Sequence, residues 1–456
     1  MTWGAWPEAR HAALVRFATT SGGTESRSGL RAVAPAMRVR SYRWWFFSQV
    51  LSASGSMTQT VAQSWLVLDL THSAFLLGLT ATTTYTPLLL GSAWAGSLVD
   101  RFDRRKVLVL TQSTYFILGT ALGTLVATGA VRVWMLFLFA FANGSVSALD
   151  APARQVFVIE LVGPDCVANA ISLNEVVINA SRVLGPAMGG TLLATVGFAT
   201  CFFVNAASYL PPLGVVVALL WRRGWARRQM AEQERGRGRV RKGLAFAWRN
   251  PAVRYSMLMA VAAGMLFNMG STLPLMATRV FHMGAGGYGA MLATFGGGAV
   301  LGALLAGAGP PRPSGRRVRW LAAFTGATVC LVAASPKVGL LFAGLALTGF
   351  LSIWLIAVAN TLVQLRTEPG LRGRVMGVWT MALPGTTAIT SLFVGGVATW
   401  VSGAGGARDA FGLSGAALLL TAVLAWRSLA DRGERARLPM PRSPQAAWPS
   451  AEEAPV

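Results

Sequence analysis

The sequence predicts an all-α membrane protein of about twelve transmembrane helices, arranged as two six-helix bundles with both termini in the cytoplasm. Hydrophobic residues make up 54% of the 456 residues and charged residues only 12%, whereas a soluble domain carries about 25% charged residues. A mean hydropathy of +0.52 over this length requires many apolar segments, each of about 20 residues if it is to span a membrane. These segments alternate with basic loops, as in polytopic membrane proteins.

Twelve apolar segments follow one another along the chain in two sets of six. The first and the ninth are the weakest, since the first is polar and the ninth is short. The predicted segments are 44–70, 74–99, 107–127, 133–149, 168–196 and 198–221, followed by 255–277, 288–308, 320–334, 338–363, 375–401 and 410–426. They predict five regions: a disordered basic cytoplasmic tail (1–40), a six-helix bundle (41–221), a basic cytoplasmic linker (222–254), a second six-helix bundle (255–428) and a disordered cytoplasmic tail (429–456).

The distribution of the 40 Lys and Arg residues supports this arrangement. Only Arg132, Arg279, Lys337 and Arg408 fall in loops on one side of the predicted bundles, and Arg182 alone falls inside a span. All the others lie in the tails, the linker or the loops of the opposite side, which the positive-inside rule assigns to the cytoplasm. The net charge of +23 by itself would suggest nucleic-acid binding. Because the basic residues are dispersed between apolar segments, we expect no nucleic-acid partner.

Residues for catalysis or cofactor binding are scarce. The three cysteines form no CxxC pair, and the three histidines lie in the first tail or near the predicted outer ends of helices. The sequence contains no GxxxxGK[ST] phosphate-binding loop. We therefore expect no metal, no cofactor and no enzymatic activity, so that any transport would draw on an ion gradient or on the gradient of the substrate.

An internal similarity indicates that the two halves are repeats. The second segment ends in the stretch from Gly96 to Asp100, and the eighth ends in a similar stretch from Gly302 to Ala306. Each is followed by paired arginines, at 104–105 and at 316–317, although the second copy lacks the acidic residue. Repeats related by an axis along the membrane normal are one of the arrangements found in secondary transporters.

The loop after the second segment reads GSLVDRFDRRK over residues 96–106. Gly96 permits close approach of helices, and Asp100 at the membrane boundary can accept hydrogen bonds from arginine or from a helix N-terminus. The arginines can pair with an acidic residue on a neighbouring helix, and Asp150 at the predicted end of the fourth segment is the best placed. The residues expected to form this conformational latch are Gly96, Asp100, Arg101, Arg104, Arg105 and Asp150.

This loop resembles, position for position, the GxxxDRxxRR(R/K) loop of the major facilitator superfamily. The resemblance implies the major facilitator fold and transport by alternating access, in which two bundles rock around a central site. A generic basic cytoplasmic loop would explain the arginines, but it would not explain the spacing of the glycine and the aspartate.

Small residues recur along the fifth segment. Ser181, Gly185 and Gly189 lie four residues apart, which makes a smooth stripe for close contact with another helix, and Pro186 can bend the helix. The stretch GPAMGG from Gly185 to Gly190 is similar to the antiporter signature of exporters in the same superfamily, although the fuller signature has glycine in place of Ser172 and Ser181. The resemblance implies an exporter, whereas simple packing of small residues is the alternative explanation.

Polar and charged residues also share one face of the fifth segment. Glu175, Asn179 and Arg182 are spaced at i, i+4 and i+7, and seven residues drift only about 20° from two full turns. Charges inside a membrane are costly and normally face the bundle interior or a wet cavity. One hypothesis makes Glu175 a proton-coupling carboxylate and Arg182 its partner or a ligand for anionic substrate groups. The alternative is a structural ion pair.

Candidate cavity residues come from several segments. The first segment carries Ser52, Ser56, Gln59 and Gln63 at i, i+4, i+7 and i+11, a polar stripe that should line a cavity. Further candidates for the substrate cavity are Tyr85, Asn143, Asn268, Asn360 and Trp379.

The segments 46–71, 150–161 and 371–379 resemble the branch of the superfamily that contains the enterobactin exporter and macrolide efflux proteins. The resemblance implies proton-coupled export of an amphipathic organic compound, such as a drug, a siderophore or another natural product, through the bacterial inner membrane. The expected partners are the lipid bilayer, protons and a small-molecule substrate, and the protein is expected to be a monomer. Alternatives are an importer or facilitator of a small metabolite, or a lipid flippase of the same fold.

Overall fold

The computed structural model describes residues 35–99, 102–163, 166–220, 248–266, 269–307, 314–367, 369–401 and 403–426. Every regular secondary-structure element within these ranges is a helix, which confirms the all-α prediction. We number them α1 to α12; the sixth and the seventh are each interrupted by a short break, and their two parts are labelled a and b.

The first half contains α1 (Arg40–Thr71), α2 (Ala74–Val99), α3 (Arg104–Ala127), α4 (Val133–Val162), α5 (Val167–Thr195), α6a (Phe198–Ser208) and α6b (Leu210–Leu220). The second half contains α7a (Pro251–Leu266), α7b (Met269–Leu275), α8 (Ala285–Gly307), α9 (Gly315–Ala333), α10 (Val338–Arg366), α11 (Pro369–Trp400) and α12 (Gly403–Leu424). A π-helical turn, Met276–Val280, continues α7b.

Eight of the described spans are long and apolar enough to cross a membrane, and the bent α7a–α7b pair would make a ninth. The helices that fall short are α1, α9 and α11. In α1, Thr58 and Gln59 are buried, and in α11 Ser391 is buried, so their polar side chains lower the hydropathy without facing lipid. The weakness of the first and ninth segments was visible in the sequence, and that of the eleventh was not. The total of twelve spans and the side of the termini stay predictions.

Several boundaries differ from the sequence prediction, and two of these differences change its interpretation. The fourth segment was predicted to end at 149, but α4 continues through Pro152 to Val162. Ala153, Phe157 and Leu161 follow at four-residue spacing and are buried, so packing extends this helix beyond its most apolar part. The predicted disordered tail also ends before residue 40, since Pro35–Arg38 form a 3-10 helix.

The helices of the two halves pack in equivalent pairs. In the first half, α1 packs on α5, α2 on α4, and α3 on α6a. In the second half, α7a packs on α11, α8 on α10, and α9 on α12, which are the same pairs shifted by six. Between the halves, α2 packs on α11 and α5 on α8, and these two pairs are also exchanged by the shift. This pattern is the one expected for two repeats around an axis along the membrane normal.

Candidate functional site: a cavity walled by the first half

A cavity of about 730 Å³ lies among the helices of the first half. Its wall is built mainly from α1 to α6, and the described residues of the second half that line it are Gly270, Ser271 and Thr387. The cavity follows α4 as far as Ile159 and reaches the first turn of α5 at Val167. It therefore extends to the end of the bundle that carries the arginine-rich loop, and its volume lies within the range of small-molecule sites, about 300–1,000 Å³.

At the opposite end, the two halves touch backbone to backbone. A Cβ on Gly78 of α2 would lie 2.2 Å from the carbonyl oxygen of Ser391 on α11. A Cβ on Gly289 of α8 would lie 2.5 Å from the Cα of Gly190 on α5. Only glycine permits helices to approach so closely, and these contacts close the bundle on this side.

An arginine reinforces the closed end. Arg279, in the π-helical turn after α7b, donates one hydrogen bond to the carbonyl of Ala398 on α11 (3.0 Å) and another to the carbonyl of His72 (3.2 Å). Because His72 follows α1 directly, this side chain joins the second half to the first.

The polar stripe of α1 faces the cavity, as the sequence predicted. Ser52, Ser56, Gln59 and Gln63 all line the cavity. Ser56 Oγ lies 2.9 Å from the hydroxyl of Tyr209, and Gln59 accepts a hydrogen bond from the side-chain amide of Asn205. These contacts join α1 to α6.

The other predicted cavity residues divide into two groups. Tyr85 on α2 and Asn143 on α4 line the cavity. Asn360 does not, because it lies on α10 and accepts a hydrogen bond from Gln364 (2.6 Å). Trp379 does not line it either, because its side chain is only 3% exposed and belongs to the apolar core. Neither residue therefore contributes to the wall of this cavity, and Asn268 lies outside the described residues.

A buried ion pair on α4 is the most highly charged feature of the cavity wall. Asp150 is 3% exposed and forms a salt bridge with Arg154 one turn later. Thr111 and Gln112 of α3 each donate a hydrogen bond of 2.8 Å to the same carboxylate oxygen of Asp150. Arg154 in turn donates to the side-chain oxygen of Gln49 on α1. The network therefore joins three helices around one carboxylate.

This network corrects the predicted pairing of Asp150 with the arginine cluster, because Asp150 pairs with Arg154 instead. Because α4 continues to Val162, Asp150 lies roughly 18 Å inside the end of its helix at a rise of about 1.5 Å per residue. Glu160, near that end, takes the expected place and lies 3.8 Å from Arg104. Arg105 donates to the carbonyl of Leu219 on α6b (3.3 Å).

Part of the predicted latch can be placed and part cannot. Asp103 caps α3 and accepts a hydrogen bond from the backbone N–H of Arg105 (3.0 Å), which fixes the start of this helix. Asp100 and Arg101 lie outside the described residues, and Gly96 is described only as a position within α2.

Glu175, Asn179 and Arg182 form a local chain along α5. The Glu175 side chain is exposed and lines the cavity. Asn179 donates to the backbone carbonyl of Glu175 (2.8 Å) and accepts from the guanidinium of Arg182 (3.1 Å). Arg182 also lies within electrostatic reach of Glu175 and of Tyr85. The structure therefore places the predicted carboxylate on the cavity wall, with the amide of Asn179 between it and Arg182.

The small-residue stripe of α5 faces α1. Ser181 is buried, and a Cβ on Gly185 would lie 2.3 Å from Cβ of Met57. A Cβ on Gly189 would lie 3.1 Å from Cβ of Val61. On the side towards the second half, a Cβ on Gly289 would also lie 2.8 Å from the carbonyl oxygen of Pro186. The stripe thus packs against α1, and Pro186 and Gly190 pack against α8.

Sequence reasoning missed Arg154 and its partners. The available signal was the i, i+4 spacing of Asp150 and Arg154, which places opposite charges on one helical face. The prediction that the fourth segment ended at 149 placed Asp150 at the end of the helix and Arg154 beyond it, and so hid this signal. Gln49, Thr111 and Gln112 come from other helices, so no local pattern indicates their contacts.

Comparison with known proteins places this architecture in a family. A family model described as transmembrane secretion effector matches residues 31–452. The multidrug efflux pump Tap of Mycolicibacterium fortuitum is 27% identical over 341 residues, which cover 73% of this chain and 83% of the relative. The enterobactin exporter EntS of Citrobacter koseri is 27% identical over 366 residues, which cover 78% of this chain and 85% of the relative.

Some alignments are shorter. The staphyloferrin A transporter of Staphylococcus aureus is 30% identical over 168 residues, which cover 37% of this chain and 42% of the relative. The chain likewise spans 55% of the MFS-type transporter YfiS of Bacillus subtilis.

Two solved structures share the fold. A bacterial homologue of the human lysosomal transporter Spinster, in an inward-facing and occupied conformation, superposes with a TM-score of 0.65 at 15% identity, covering 86% of this chain and 97% of the other. A D-xylose–proton symporter gives a TM-score of 0.65 at 13% identity, covering 85% and 98%. Because the family model matches residues 31–452, the chain belongs to the transmembrane secretion effector family of the major facilitator superfamily.

Proposed function

We propose that this protein exports an amphipathic organic compound, such as a drug, a siderophore or another natural product, across the bacterial inner membrane in exchange for protons. The observation that carries the proposal is the asymmetry of the cavity. It extends to the arginine-rich end of the bundle, while Gly78, Gly190 and Gly289 close the other end. If the arginine-rich end is cytoplasmic, this state is ready to accept a compound from the cell interior.

The cavity wall suits a bulky ligand with mixed polarity. Hydroxyl and amide groups from α1 alternate with apolar side chains such as Met57 and Leu77, and Tyr85 adds an aromatic surface. Pockets for organic molecules combine a largely apolar lining with a few fixed polar groups. The relatives named as a multidrug efflux pump and an enterobactin exporter support export of such compounds by this chain.

We also propose that the protein has twelve spans in two repeats and that it transports as a monomer by alternating access. The first test concerns sidedness, because an exporter must load from the cytoplasm. Reporter fusions at Arg132, Ala285 and Ala404 should report the outer side, and fusions at either terminus the inner side. A cytoplasmic signal at any of the three internal positions would contradict the topology.

Proton coupling is assigned to Glu175, which lies exposed on the cavity wall. A carboxylate that exchanges its proton with water must be reachable from the cavity, and the charge of Arg182 on the same helix lies within electrostatic reach of Glu175. Glu175→Gln should abolish uphill transport driven by a pH gradient and spare substrate binding. The measurement is efflux from vesicles with and without an imposed pH gradient.

Asp150→Asn is the matched comparison, since Asp150 is the other carboxylate of the described cavity wall. Normal pH-driven accumulation by Glu175→Gln, together with its loss in a folded Asp150→Asn protein, would move coupling to α4.

Asp100→Asn addresses the latch separately. It should impair transport without loss of folded protein, because a bias of about 1.4 kcal/mol between two states changes their ratio tenfold.

A further inference from the structure

A second cavity, of about 650 Å³, lies on the surface of the first half between α1 and α6b. We call it the α1–α6b groove; Trp44, Phe47 and Leu51 line one wall, and Pro211, Gly214 and Leu219 line the other. Trp44 and Phe47 are more than 60% exposed. In a membrane-spanning bundle this surface faces lipid and not the transport pathway.

The groove has the dimensions of one bilayer leaflet. Along α1 it extends from Arg40 to Leu51, about 16 Å at a rise of about 1.5 Å per residue. The hydrocarbon core of a bilayer is about 30 Å thick, so one leaflet contributes about 15 Å. Arg40 and Leu219 mark the arginine-rich end, since Arg105 donates to the carbonyl of Leu219.

The polarity of the groove changes along its length in the same direction. Arg40 and Ser41 lie at its interfacial end, and the remaining wall towards Leu51 and Pro211 is mostly apolar. A cation at the interface and an apolar channel one leaflet long complement an anionic headgroup joined to an acyl chain. We propose that the α1–α6b groove binds an anionic phospholipid, with an acyl chain along α6b and the headgroup phosphate beside Arg40.

Such a lipid would act on the helices that form the cavity wall. On their other faces, α1 and α6 are joined by the contacts of Ser56 with Tyr209 and of Gln59 with Asn205. A lipid wedged behind the same pair stabilises its association. This role does not depend on the direction of transport or on proton coupling.

Gly214 offers a direct test. A Cβ at this position would meet no atom within 4 Å, so Gly214→Leu fills the groove without a backbone clash. Gly396→Leu is the matched control, because Gly396 of α11 is equally open and lies outside the groove. Arg40→Gln removes the charge and leaves the groove open, and Arg43→Gln is its control on the same exposed turn.

The experiment uses the purified full chain in detergent with phosphatidylglycerol or phosphatidylcholine of identical acyl chains. Bound lipid is counted by native mass spectrometry, and thermal stability is followed in parallel. Wild-type protein should retain phosphatidylglycerol preferentially and be stabilised by it. Gly214→Leu should abolish the retention of phosphatidylglycerol. Arg40→Gln should weaken phosphatidylglycerol binding about fivefold, as expected for one arginine at a lipid headgroup. Both controls should behave as wild type.

Three results would overturn the proposal. The first is equal retention of the two lipids by the wild-type chain. The second is unchanged phosphatidylglycerol retention in Gly214→Leu. The third is destabilisation by Gly214→Leu, relative to Gly396→Leu, in lipid-free detergent, which would assign the groove to a segment of this chain.

Discussion

In the first half, α4 brings the Asp150–Arg154 ion pair to the cavity, whereas its counterpart α10 buries only Thr348 and Ser352 as polar side chains. The two helices occupy equivalent positions, since α4 packs on α2 and α10 packs on α8. Equivalent packing therefore does not imply equivalent chemistry. Packing depends on helix length and on small contact residues, which leaves the residues of the cavity face free to differ.

The same contrast holds for α1 and its counterpart α7. Amide side chains such as Gln49 and Gln59 are buried along α1, whereas the polar side chains buried by the described residues of α7 are the hydroxyls of Ser256, Ser271 and Thr272. Among the described residues, the first half therefore supplies nearly all of the polar wall of this cavity. In alternating access, both halves must fit at their interface, but one polar wall is sufficient to bind a ligand.

The largest expected effect concerns the charged helix α4. Asp150→Ala should destabilise the protein by about 3 kcal/mol, because it leaves the guanidinium of Arg154 buried without its partner. The double variant Asp150→Asn/Arg154→Gln removes both charges and should recover most of the stability. Thermal unfolding in detergent measures both proteins. Thr348→Val on α10 is the control in the second half, and a loss there as large as that of Asp150→Ala would remove the contrast between the halves.

An intermediate effect is expected at the interface between the halves. Gly289→Val should cost about 1–3 kcal/mol in the described state, because overpacking a close contact is destabilising and Gly190 lies directly opposite. The closed end should open in a larger fraction of molecules. Labelling of a cysteine introduced at the closed end reports that fraction.

Gly297→Val on the same helix is the matched control, since a Cβ there meets no atom within 4 Å. Equal labelling of the Gly289→Val and Gly297→Val proteins would show that the glycine contact does not hold the halves together.

The smallest effect compares two asparagines in corresponding helices. Asn143→Ala should weaken substrate binding by up to about tenfold, since a lost hydrogen bond costs about 0.5–1.5 kcal/mol and Asn143 lines the cavity. Asn360→Ala should leave binding unchanged, because Asn360 does not line it. Ligand-dependent fluorescence quenching measures both affinities. A larger loss in Asn360→Ala would place the binding wall in the second half.

Local pattern was sufficient for much of the molecule. The stripe from Ser52 to Gln63 was found because four polar residues at helical spacing in an apolar segment have few alternatives to a cavity. Glu175 was placed on the cavity wall for the same reason. Asn360 and Trp379 lie away from this cavity, and no local pattern indicated this, since a single polar or aromatic residue carries no periodicity and can face any neighbour.

The amino-acid sequence alone determined the helical class, the order of the helices and the family, because apolar length, basic loops and the 96–106 motif are local features. Tertiary structure decided which groups meet. The length of α4 depends on the burial of Ala153, Phe157 and Leu161 against neighbouring helices. Because α4 is longer than predicted, Asp150 lies far from the arginine loop and pairs with Arg154. Gln49, Thr111 and Gln112 complete the site from two other helices. Their convergence is a property of the packed bundle, since no single segment contains more than one side of these contacts.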